Sequence, residues 1–388
     1  MNVLDGIRVV DLGNFITGPY SAMLLAELGA DVIKVERLGT GDPFRAFEGG
    51  LYSPQFQSYN RHKRSIAIDY ATPDGLEVLY KLLATADVVI VNNRPGVLEN
   101  VGLGYERLQE INPQIVYCSV TGFGPDGPYA DRPAYDTVGQ AASGWLSLFH
   151  DGDDNRVAGP AVSDAVTGIF ACLGILGALL GRQRSGKGCK VETSMLEANM
   201  AMAAEPITQF LATGVVPGRY SRGAMSQAYV LGCADDRRIC LHMSSPEKFW
   251  NGLAKATARP DLLVKYPDRV SRIACYEEIG RDLAQIFREK PRDEWAALLD
   301  EHDVPFSPEL NVGELEADPQ VSHLNMFYQS RHPRYGLVKG MRGPIRYDGL
   351  RNEIVSPPPE LGEHTSGILE ELGFTPTQRA TLKQQGVI

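Results

Sequence analysis

The sequence lacks the residue spacings that mark disulfide frameworks and metal centres. Its six cysteines include no CxxC pair, and its seven histidines show no HxH, HxxxH or HExxH spacing. We interpret the cysteines as reduced thiols, because disulfide-stapled folds are typical of small secreted domains. The sequence therefore predicts no metal site and a cytoplasmic protein.

Positive charge is also scarce. The 388 residues carry a net charge of −10 at pH 7, so the field of the whole protein repels nucleic acids and anionic membranes. The N-terminus, MNVLDGIRVV, has no basic segment followed by an apolar one, and we predict no signal peptide. We expect no nucleic-acid partner and no membrane partner. An anionic ligand would need a local basic site.

One uncharged segment, residues 165–181, approaches the length of a membrane span. The basic GRQRSGK follows it, as it does after some membrane helices. The segment is rich in glycine, however, and the alternating pattern KVETSM comes soon after. These features favour a buried helix of a soluble protein, and the membrane span stays as the alternative.

A glycine-rich dinucleotide motif is missing as well. The first loop reads GNFITG rather than GxGxxG, which disfavours NAD binding. Helical patterns alternate with strand patterns, and a helix is predicted near residues 136–149. This alternation predicts an α/β fold with a mostly parallel sheet. The predicted strands lie at residues 7–12, 31–37, 65–69, 87–92, 114–120 and 189–195.

The composition changes once along the chain. Residues 214–227, GVVPGRYSRGAMSQ, are rich in Gly, Ser and Arg and are predicted to be a linker. Residues 228–330 combine a hairpin pattern with helical patterns, which indicates a small α+β domain. Residues 1–213 and 331–388 are predicted to build the large domain together.

Charged residues stand near the ends of several predicted strands. Ligands of open α/β sheets bind outside the carboxyl ends of the strands. Glu36 is suited to a ribose hydroxyl, and Arg37, Arg94 and Lys63 are suited to an elongated anionic ligand. The alternative is that these are solvated charges at strand ends.

Asp164 stands at the leading edge of the uncharged segment. Ser163 and Asp164 precede a predicted helix, and Asp is a favoured N-cap residue, so helix capping is one interpretation. A carboxylate at a helix N-terminus is also oriented and kept ionised. Such a group can act as a covalent nucleophile. The residue pattern alone leaves both roles open.

Many segments resemble one enzyme family. The chain resembles the class III coenzyme A transferases, which include formyl-CoA transferase, carnitine CoA-transferase and α-methylacyl-CoA racemase. The resemblance covers almost the whole chain. It is carried, in order, by LDGIRVVDL, TGPYSAMLLAELGADVIKVER, GDPFR, NRHKRSIAID, VVIVNNRPGVLENVGLGY, GFGPDGPYADRPAYD, the Asp164 segment, RSGKGCKVETSM, VPFSP and LGEHT.

The resemblance implies transfer of coenzyme A from an acyl-CoA to a small carboxylic acid, with Asp164 as the nucleophile. It implies no cofactor beyond coenzyme A as substrate, and no metal. It implies a Rossmann-like large domain, a smaller α+β domain and a homodimer of two interlocked chains. The coenzyme A-binding positions that match are Ile16, Thr17, Arg37, Ile68, Asp69, Tyr70, Asn92, Asn93, Arg94, Tyr135 and Asp136.

The chain also departs from individual branches of the family. Ile16 stands where formyl-CoA transferase has a glutamine, and Asn100 where it has an arginine that contacts the nucleotide. The long glycine-rich loop of that enzyme is not evident. These differences argue against formyl-CoA and oxalate as substrates. The racemase branch has His-Asp where this chain has Tyr135-Asp136, and a tyrosine of pKa about 10 is a poor base for an α-proton.

The transferase branch is therefore the predicted one. A racemase or epimerase on the same scaffold is the first alternative. It would exchange the α-proton of an acyl-CoA without a second acid. A coenzyme A-binding protein without catalysis is the second alternative, and it would form no covalent adduct.

Overall fold

The computed structural model describes residues 2–150, 152–351 and 356–388. Its main sheet contains β1 (Arg8–Asp11), β2 (Asp31–Glu36), β3 (Lys63–Ala67), β4 (Val88–Val91), β5 (Val116–Thr121) and β6 (Lys190–Ser194). The strands are parallel throughout and lie in the order β3-β2-β1-β4-β5-β6. The predicted α/β fold is confirmed.

Both faces of this sheet are covered. Val10, Ile33 and Val89 belong to the apolar cluster on one face, and Val9 and Val32 belong to the cluster on the other. The central strands β1, β2, β4 and β5 are buried on both sides, so their sequences are mostly apolar rather than alternating. The edge strand β6, KVETS, is partly exposed and alternates. These patterns make the strands recognisable in the sequence.

The strand order reverses next to β1. The chain runs from β1 outward through β2 to β3, then crosses back to place β4 on the other side of β1. At such a reversal the loops that leave neighbouring strands diverge, and a cleft opens at their carboxyl ends. The loops that follow β1 and β4 therefore face each other across the cleft.

Helices alternate with the strands of the main sheet along the chain and continue after its last strand. They are α1 (Thr17–Glu27), α2 (Pro54–Asn60), α3 (Pro73–Leu83), α4 (Tyr105–Ile111), α5 (Asp136–Ala142), α6 (Val162–Ser185), α7 (Met195–Met202) and α8 (Ala204–Thr213). The predicted helix at 136–149 is too long. Gly144 has a φ of 79° just after α5, which is the backbone that ends helices.

The long helix α6 packs closely against α1. A Cβ at Gly168 would lie 3.0 Å from the Thr17 carbonyl oxygen and 3.0 Å from the Tyr20 ring, so a side chain there would require α1 to shift. By length and composition α6 could also cross a membrane, and 44% of its most apolar window is buried within the chain. Its outward face leaves Ile169 and Leu173 exposed.

The chain divides into two compact units. The first comprises Met1–Leu146, Gly152–Ile207 and Asn325–Ile388, and the second comprises Ser147–Asp151 and Thr208–Leu324. The boundaries predicted at residues 213 and 331 remain predictions. Within the second unit the elements in chain order are α9 (Ser221–Ser226), β7 (Ala228–Gly232), β8 (Arg238–His242), α10 (Pro246–Ala256), α11 (Asp261–Lys265), α12 (Arg269–Ala274), α13 (Tyr276–Phe287), α14 (Arg292–Glu301), β9 (Phe306–Pro308) and α15 (Pro319–His323).

The second unit has its own antiparallel sheet and core. Its strands lie in the order β7-β8-β9, and the predicted hairpin joins β7 to β8. Trp250, Phe287 and Trp295 lie in its apolar cluster, with the Trp295 indole N–H bonded to the Phe287 carbonyl at 2.8 Å. A small α+β unit is thus observed.

The C-terminal segment returns to the first unit. It forms β10 (Phe327–His332), β11 (Gly336–Met341), α16 (Thr365–Glu371) and α17 (Pro376–Gln384). The segment covers the outer edge of β3. The His364 N–H donates to the Ser65 carbonyl at 2.9 Å, and the Ala67 N–H donates to Thr365 Oγ1 at 3.1 Å.

Candidate active site

A cavity of about 300 Å³ lies at the carboxyl edge of the sheet, where the strand order reverses. Segments that follow β1, β4 and β5 form its walls, together with the first turn of α6. The cavity collects residues that are distant in the sequence. Among the predicted site residues, it is lined by Ile16, Thr17, Asn92, Asn93, Arg94, Tyr135 and Asp164.

Asp164 lies in the first turn of α6 but does not cap it. The N-cap position is Ala161, and no side chain bonds to the free N–H groups from that position. The interpretation of Asp164 as the N-cap is therefore wrong. Burial, followed by the charge of Asp136, raises the pKa of Asp164 to about 7. Its carboxyl group is thus a desolvated carboxylate that lines the cavity.

Asp136 performs the capping role from a neighbouring helix. It is the first residue of α5, and its Oδ1 accepts a hydrogen bond from the Asp164 N–H at 3.2 Å. Its Oδ2 accepts from Gln140 Nε2 at 2.6 Å. Asp136 thus orients the start of α6 and places a second negative charge beside Asp164.

Asn92 fixes the loop that follows β1. Its Oδ1 accepts from the Asn14 N–H at 2.9 Å, and its Nδ2 donates to the Asn14 carbonyl at 2.7 Å and to Thr17 Oγ1 at 2.9 Å. The side-chain amide is therefore occupied within the protein. Coenzyme A contact at this position, which stays a prediction, would fall to the backbone or to Asn93.

Aromatic rings form a wall beside the cavity. The Phe15 ring meets Tyr135 edge-on at 5.7 Å and Phe44 at 5.3 Å between centroids, and Tyr59 meets Tyr20 at 5.6 Å. Burial, with Asp164 and then Tyr20 and Asp136 nearby, raises the pKa of Tyr59. Sequence reasoning missed Phe15, Phe44 and Tyr59, because no spacing signal links them to Asp164.

Glu36 is not available to a ligand. It is 3% exposed and makes two 2.7 Å hydrogen bonds with Arg45, and Ser65 Oγ donates to it at 2.6 Å. Although burial alone would raise the pKa of Glu36, the Arg45 guanidinium holds it below the ordinary value. The predicted role at a ribose hydroxyl is therefore wrong. The Glu36 side chain lies inside the protein because Arg45, in the segment that follows β2, pairs with it.

Lys63 also faces the interior. Its Nζ donates to Asp11 Oδ2, the Pro19 carbonyl and Asn60 Oδ1, each at 2.8 Å, so its three protons are all used. Burial lowers the pKa of Lys63 to about 8, and the Asp11 carboxylate offsets part of that effect. Lys63 supplies no charge to a ligand, which corrects the prediction from the basic cluster NRHKRS.

The remaining predicted positions lie along the same sheet edge, outside the cavity. Arg37 follows β2 and is exposed, while Asp69 and Tyr70 follow β3 and are half-buried. Ile68 is completely buried, so only its backbone is available to a ligand. Within residues 2–150, 152–351 and 356–388, no group of three or more His, Cys, Asp and Glu side chains is placed to hold a metal ion.

A desolvated carboxyl group in a cleft at the sheet edge agrees with the resemblance noted in the sequence. The sequence of this chain matches the family model of CoA-transferase family III over residues 4–365. The chain belongs to CoA-transferase family III. It is therefore a CoA-transferase, and the predicted family is confirmed.

Known members of CoA-transferase family III match along most of the chain. Human succinyl-CoA:glutarate CoA-transferase is 33% identical, covering 95% of this chain and 86% of the human protein. Formyl-CoA:oxalate CoA-transferase of Escherichia coli O157:H7 is 30% identical over 99% of both chains. A CAIB/BAIF family protein from Brucella suis superposes with a TM-score of 0.84 at 33% identity, over 95% of this chain and 99% of that one.

Proposed function

We propose that Asp164 is the covalent nucleophile of an acyl-CoA:carboxylate CoA-transferase. Three observations support this. Asp164 lines the cavity at the strand-order reversal, its carboxylate is partly desolvated, and its backbone N–H is held by Asp136. A desolvated carboxylate has less hydration to lose on attack. The position of Asp164 in this cavity carries the proposal.

The reaction begins with attack of the Asp164 carboxylate on the thioester carbonyl of the donor. The C–S bond breaks, which leaves a mixed aspartyl anhydride and coenzyme A thiolate. The thiolate then attacks the aspartyl carbonyl, releases the donor acid as its carboxylate and leaves an aspartyl-CoA thioester. The acceptor carboxylate reverses both steps. No proton is transferred, so the site needs no general base.

Each attack creates a tetrahedral oxyanion that the site must stabilise. The positive end of the α6 dipole is proposed for this role, since a helix N-terminus favours negative charge. The Val162, Asp164 and Ala165 N–H groups are themselves already bonded within the protein. The residues along the edge from Arg37 to Tyr70 would hold the nucleotide end of coenzyme A. Arg37 is the proposed phosphate contact, because it is exposed at the end of β2.

We propose a dicarboxylic acid as one of the two acids. The matched relatives carry succinyl, glutarate and oxalate in their names. Arg132 lines the same cavity as Asp164, with its guanidinium 3.8 Å from the Tyr129 ring centre. A guanidinium can bind a second carboxylate with two hydrogen bonds. Arg132 is therefore the proposed partner of the distal carboxylate.

Trapping of the covalent intermediate tests the nucleophile. Wild-type enzyme incubated with succinyl-CoA should gain the mass of coenzyme A less one water on the peptide that contains Asp164. Hydroxylamine should then convert that residue to the hydroxamate. Asp164→Ala should bind coenzyme A, form no adduct and lose transfer activity. The exposed Asp74→Asn in α3 serves as the control and should behave as wild type.

Two results would contradict this assignment. An adduct on another residue, or substantial turnover by Asp164→Ala, would place the nucleophile elsewhere. Deuterium incorporation at the α-carbon of an acyl-CoA, with no second acid present, would instead identify a racemase. Binding of coenzyme A without any adduct would indicate a coenzyme A-binding protein that does not catalyse transfer.

A comparison of substrates tests Arg132. Arg132→Gln should lower kcat/KM for succinyl-CoA by about tenfold to a hundredfold, because a charge-assisted contact contributes about 1.5–3 kcal/mol. The same variant should hardly affect butyryl-CoA, which lacks the second carboxylate. Steady-state kinetics with both thioesters measure the difference. An equal loss for both would place Arg132 against coenzyme A rather than the acid.

A further inference from the structure

A buried ion pair lies beneath the loop that follows β1. The Lys34 Nζ is 2.9 Å from Asp42 Oδ2, and the two residues are 0% and 1% exposed. Lys34 also donates to the Gly13 carbonyl at 2.8 Å. Neither side chain is among the residues that line the cavity. Apolar replacements of buried ion pairs are often neutral or stabilising, so stability alone does not account for this pair.

The other oxygen of Asp42 holds the loop directly. Asp42 Oδ1 accepts from the Phe15 N–H at 3.2 Å and from the Phe44 N–H at 2.9 Å. Phe15 has a φ of 62°, in the left-handed region that non-glycine residues rarely adopt. Such a backbone conformation persists only where the surroundings hold it. The hydrogen bond from the Phe15 N–H to Asp42 holds this conformation at residue 15. The hydrogen bond from the Asn14 N–H to Asn92 holds the loop one residue earlier.

The conformation of Phe15 determines the wall of the cavity. Ile16 and Thr17 follow at once and line the cavity with Asp164. The Phe15 ring packs on Tyr135, which lines the cavity as well. A change of φ at residue 15 would therefore displace the wall relative to the Asp164 carboxylate.

The charges around Asp42 explain why a carboxylate accepts the hydrogen bond from the Phe15 N–H. Asp42 belongs to an enclosed set of three acids and three bases, whose other members are Asp11, Lys34, Glu36, Arg45 and Lys63. The carboxylates outweigh the effect of burial and raise the pKa of Lys34. The Lys34 ammonium stays charged and keeps Asp42 in place. Loss of one acid would leave the set with a net positive charge.

We propose that Asp42 is a positioning residue for the transfer reaction. Through Phe15 it fixes the cavity wall that faces Asp164, without touching the substrate itself. The proposal rests on Asp164 as the proposed nucleophile. It predicts a larger loss in kcat than in coenzyme A affinity, because the proposed phosphate contact Arg37 lies outside this loop, whereas the predicted coenzyme A positions Ile16 and Thr17 lie within it.

Asp42→Asn tests the proposal, since asparagine keeps an acceptor oxygen for the Phe15 N–H but loses the charge. We expect kcat to fall about tenfold to a hundredfold, because small misplacements of reacting groups have effects of that size, with a smaller change in the Kd for coenzyme A. The matched control is Glu27→Gln. It breaks the Glu27–Arg61 pair at the far end of α1, whose side chains are 12% and 10% exposed. It should lower the melting temperature without lowering kcat.

Hydrogen–deuterium exchange supplies a readout that does not depend on activity. Asp42→Asn should accelerate exchange in the peptide that contains Phe15, and Glu27→Gln should not. Wild-type exchange and wild-type kcat in Asp42→Asn would overturn the proposal. So would a kcat loss of equal size in Glu27→Gln. The two proposals can fail separately. If the wild-type enzyme forms no Asp164 adduct, the proposed function is refuted. Faster loop exchange in Asp42→Asn would still show that Asp42 holds the loop.

A second variant covers the case in which Asp42→Asn does not fold. Phe15→Gly keeps the N–H that Asp42 binds, but glycine leaves φ free. It should lower kcat and accelerate exchange of residues 14–17, with a smaller change in coenzyme A affinity. Full kcat in Phe15→Gly would overturn the role of the Phe15 conformation.

Discussion

The surroundings of Asp164 disfavour the ionised form of its side chain. Burial and the Asp136 carboxylate raise its pKa from 3.8 to about 7. The protonated acid is not a nucleophile, so the reactive fraction of the enzyme increases as the pH rises through that pKa. Asp136 thus has two opposing effects, since it orients the Asp164 backbone and also keeps the carboxyl partly protonated.

The pH dependence of adduct formation follows from this arrangement. Below pH 7 the rate should fall about tenfold per pH unit, as the ionised fraction does. Asp136→Asn removes the neighbouring charge, lowers the pKa of Asp164 and should shift this acid limb to lower pH. Asparagine still offers an oxygen to the Asp164 N–H, so the helix start is kept.

Stopped-flow measurement of thiolate release across pH 5–9 gives the profile. Asp74→Asn, an exposed carboxylate change on α3, should leave the profile unchanged. An acid limb that stays in place in Asp136→Asn would show that another group controls the titration.

The sequence predicted individual site residues unevenly. The resemblance brought together seven residues that do line one cavity, including Thr17 and Asp164. It could not show that Asn92 is occupied by the loop, nor that Glu36 and Lys63 turn inward. Whether a strand-end charge faces water or a buried partner depends on contacts from distant parts of the chain, which local patterns do not record.

At the scale of elements, the site depends on the close approach of α1 and α6. The first turn of each helix supplies cavity residues, Thr17 from α1 and Asp164 from α6. Gly168 lies one turn after Asp164 and sets the separation of the two helices. Gly367, within α16, has no side chain or neighbouring segment within 4 Å of the position a Cβ would take.

Alanine at these two glycines should have opposite effects. Gly168→Ala overpacks the contact with Thr17, should destabilise the protein by about 1–3 kcal/mol and should lower activity by moving α1 from α6. Gly367→Ala should be neutral or stabilise by about 0.5–1 kcal/mol, since alanine favours helix. Denaturant unfolding and kcat measure both. A fully active and stable Gly168→Ala would contradict the packing described here.

The elements themselves were largely predictable. The six predicted segments became the six parallel strands. The central ones were recognisable because strands buried on both faces need mostly apolar sequence, and the edge strand β6 because its residues alternate. The third strand begins two residues early, at Lys63, directly after His62 turns the chain with a φ of 65°. The short helices α11 and α12 were not predicted, since five or six residues carry too little periodicity.

At the scale of the whole molecule, we propose that the enzyme is a homodimer of interlocked chains. The resemblance implies this assembly, and the outward face of α6 supports it. Ile169, Leu173 and Leu180 on that face are 49%, 61% and 56% exposed. Apolar patches of this kind mark interaction surfaces more often than free surface.

Light scattering should give the mass of two chains down to nanomolar concentration. Interlocked chains cannot separate without unfolding, so tagged and untagged pools should not form hybrids under native conditions. Leu173→Glu should reduce the yield of folded dimer, while the exposed Asp74→Asn should not. A folded monomer, hybrids within hours, or binding of the wild type to neutral liposomes would each contradict the proposal.

The C-terminal cover of β3 has a consequence for synthesis on the ribosome. Gly362, whose N–H bonds to Ser65 Oγ, is made 297 residues after its partner. At about 5–20 residues per second, that interval lasts about 15–60 s. During it the sheet can form with one unpaired edge, and an open strand edge is a template for other strands. The nascent chain is therefore most exposed to aggregation before its last thirty or so residues emerge, and translation speed past β3 sets how long that exposure lasts.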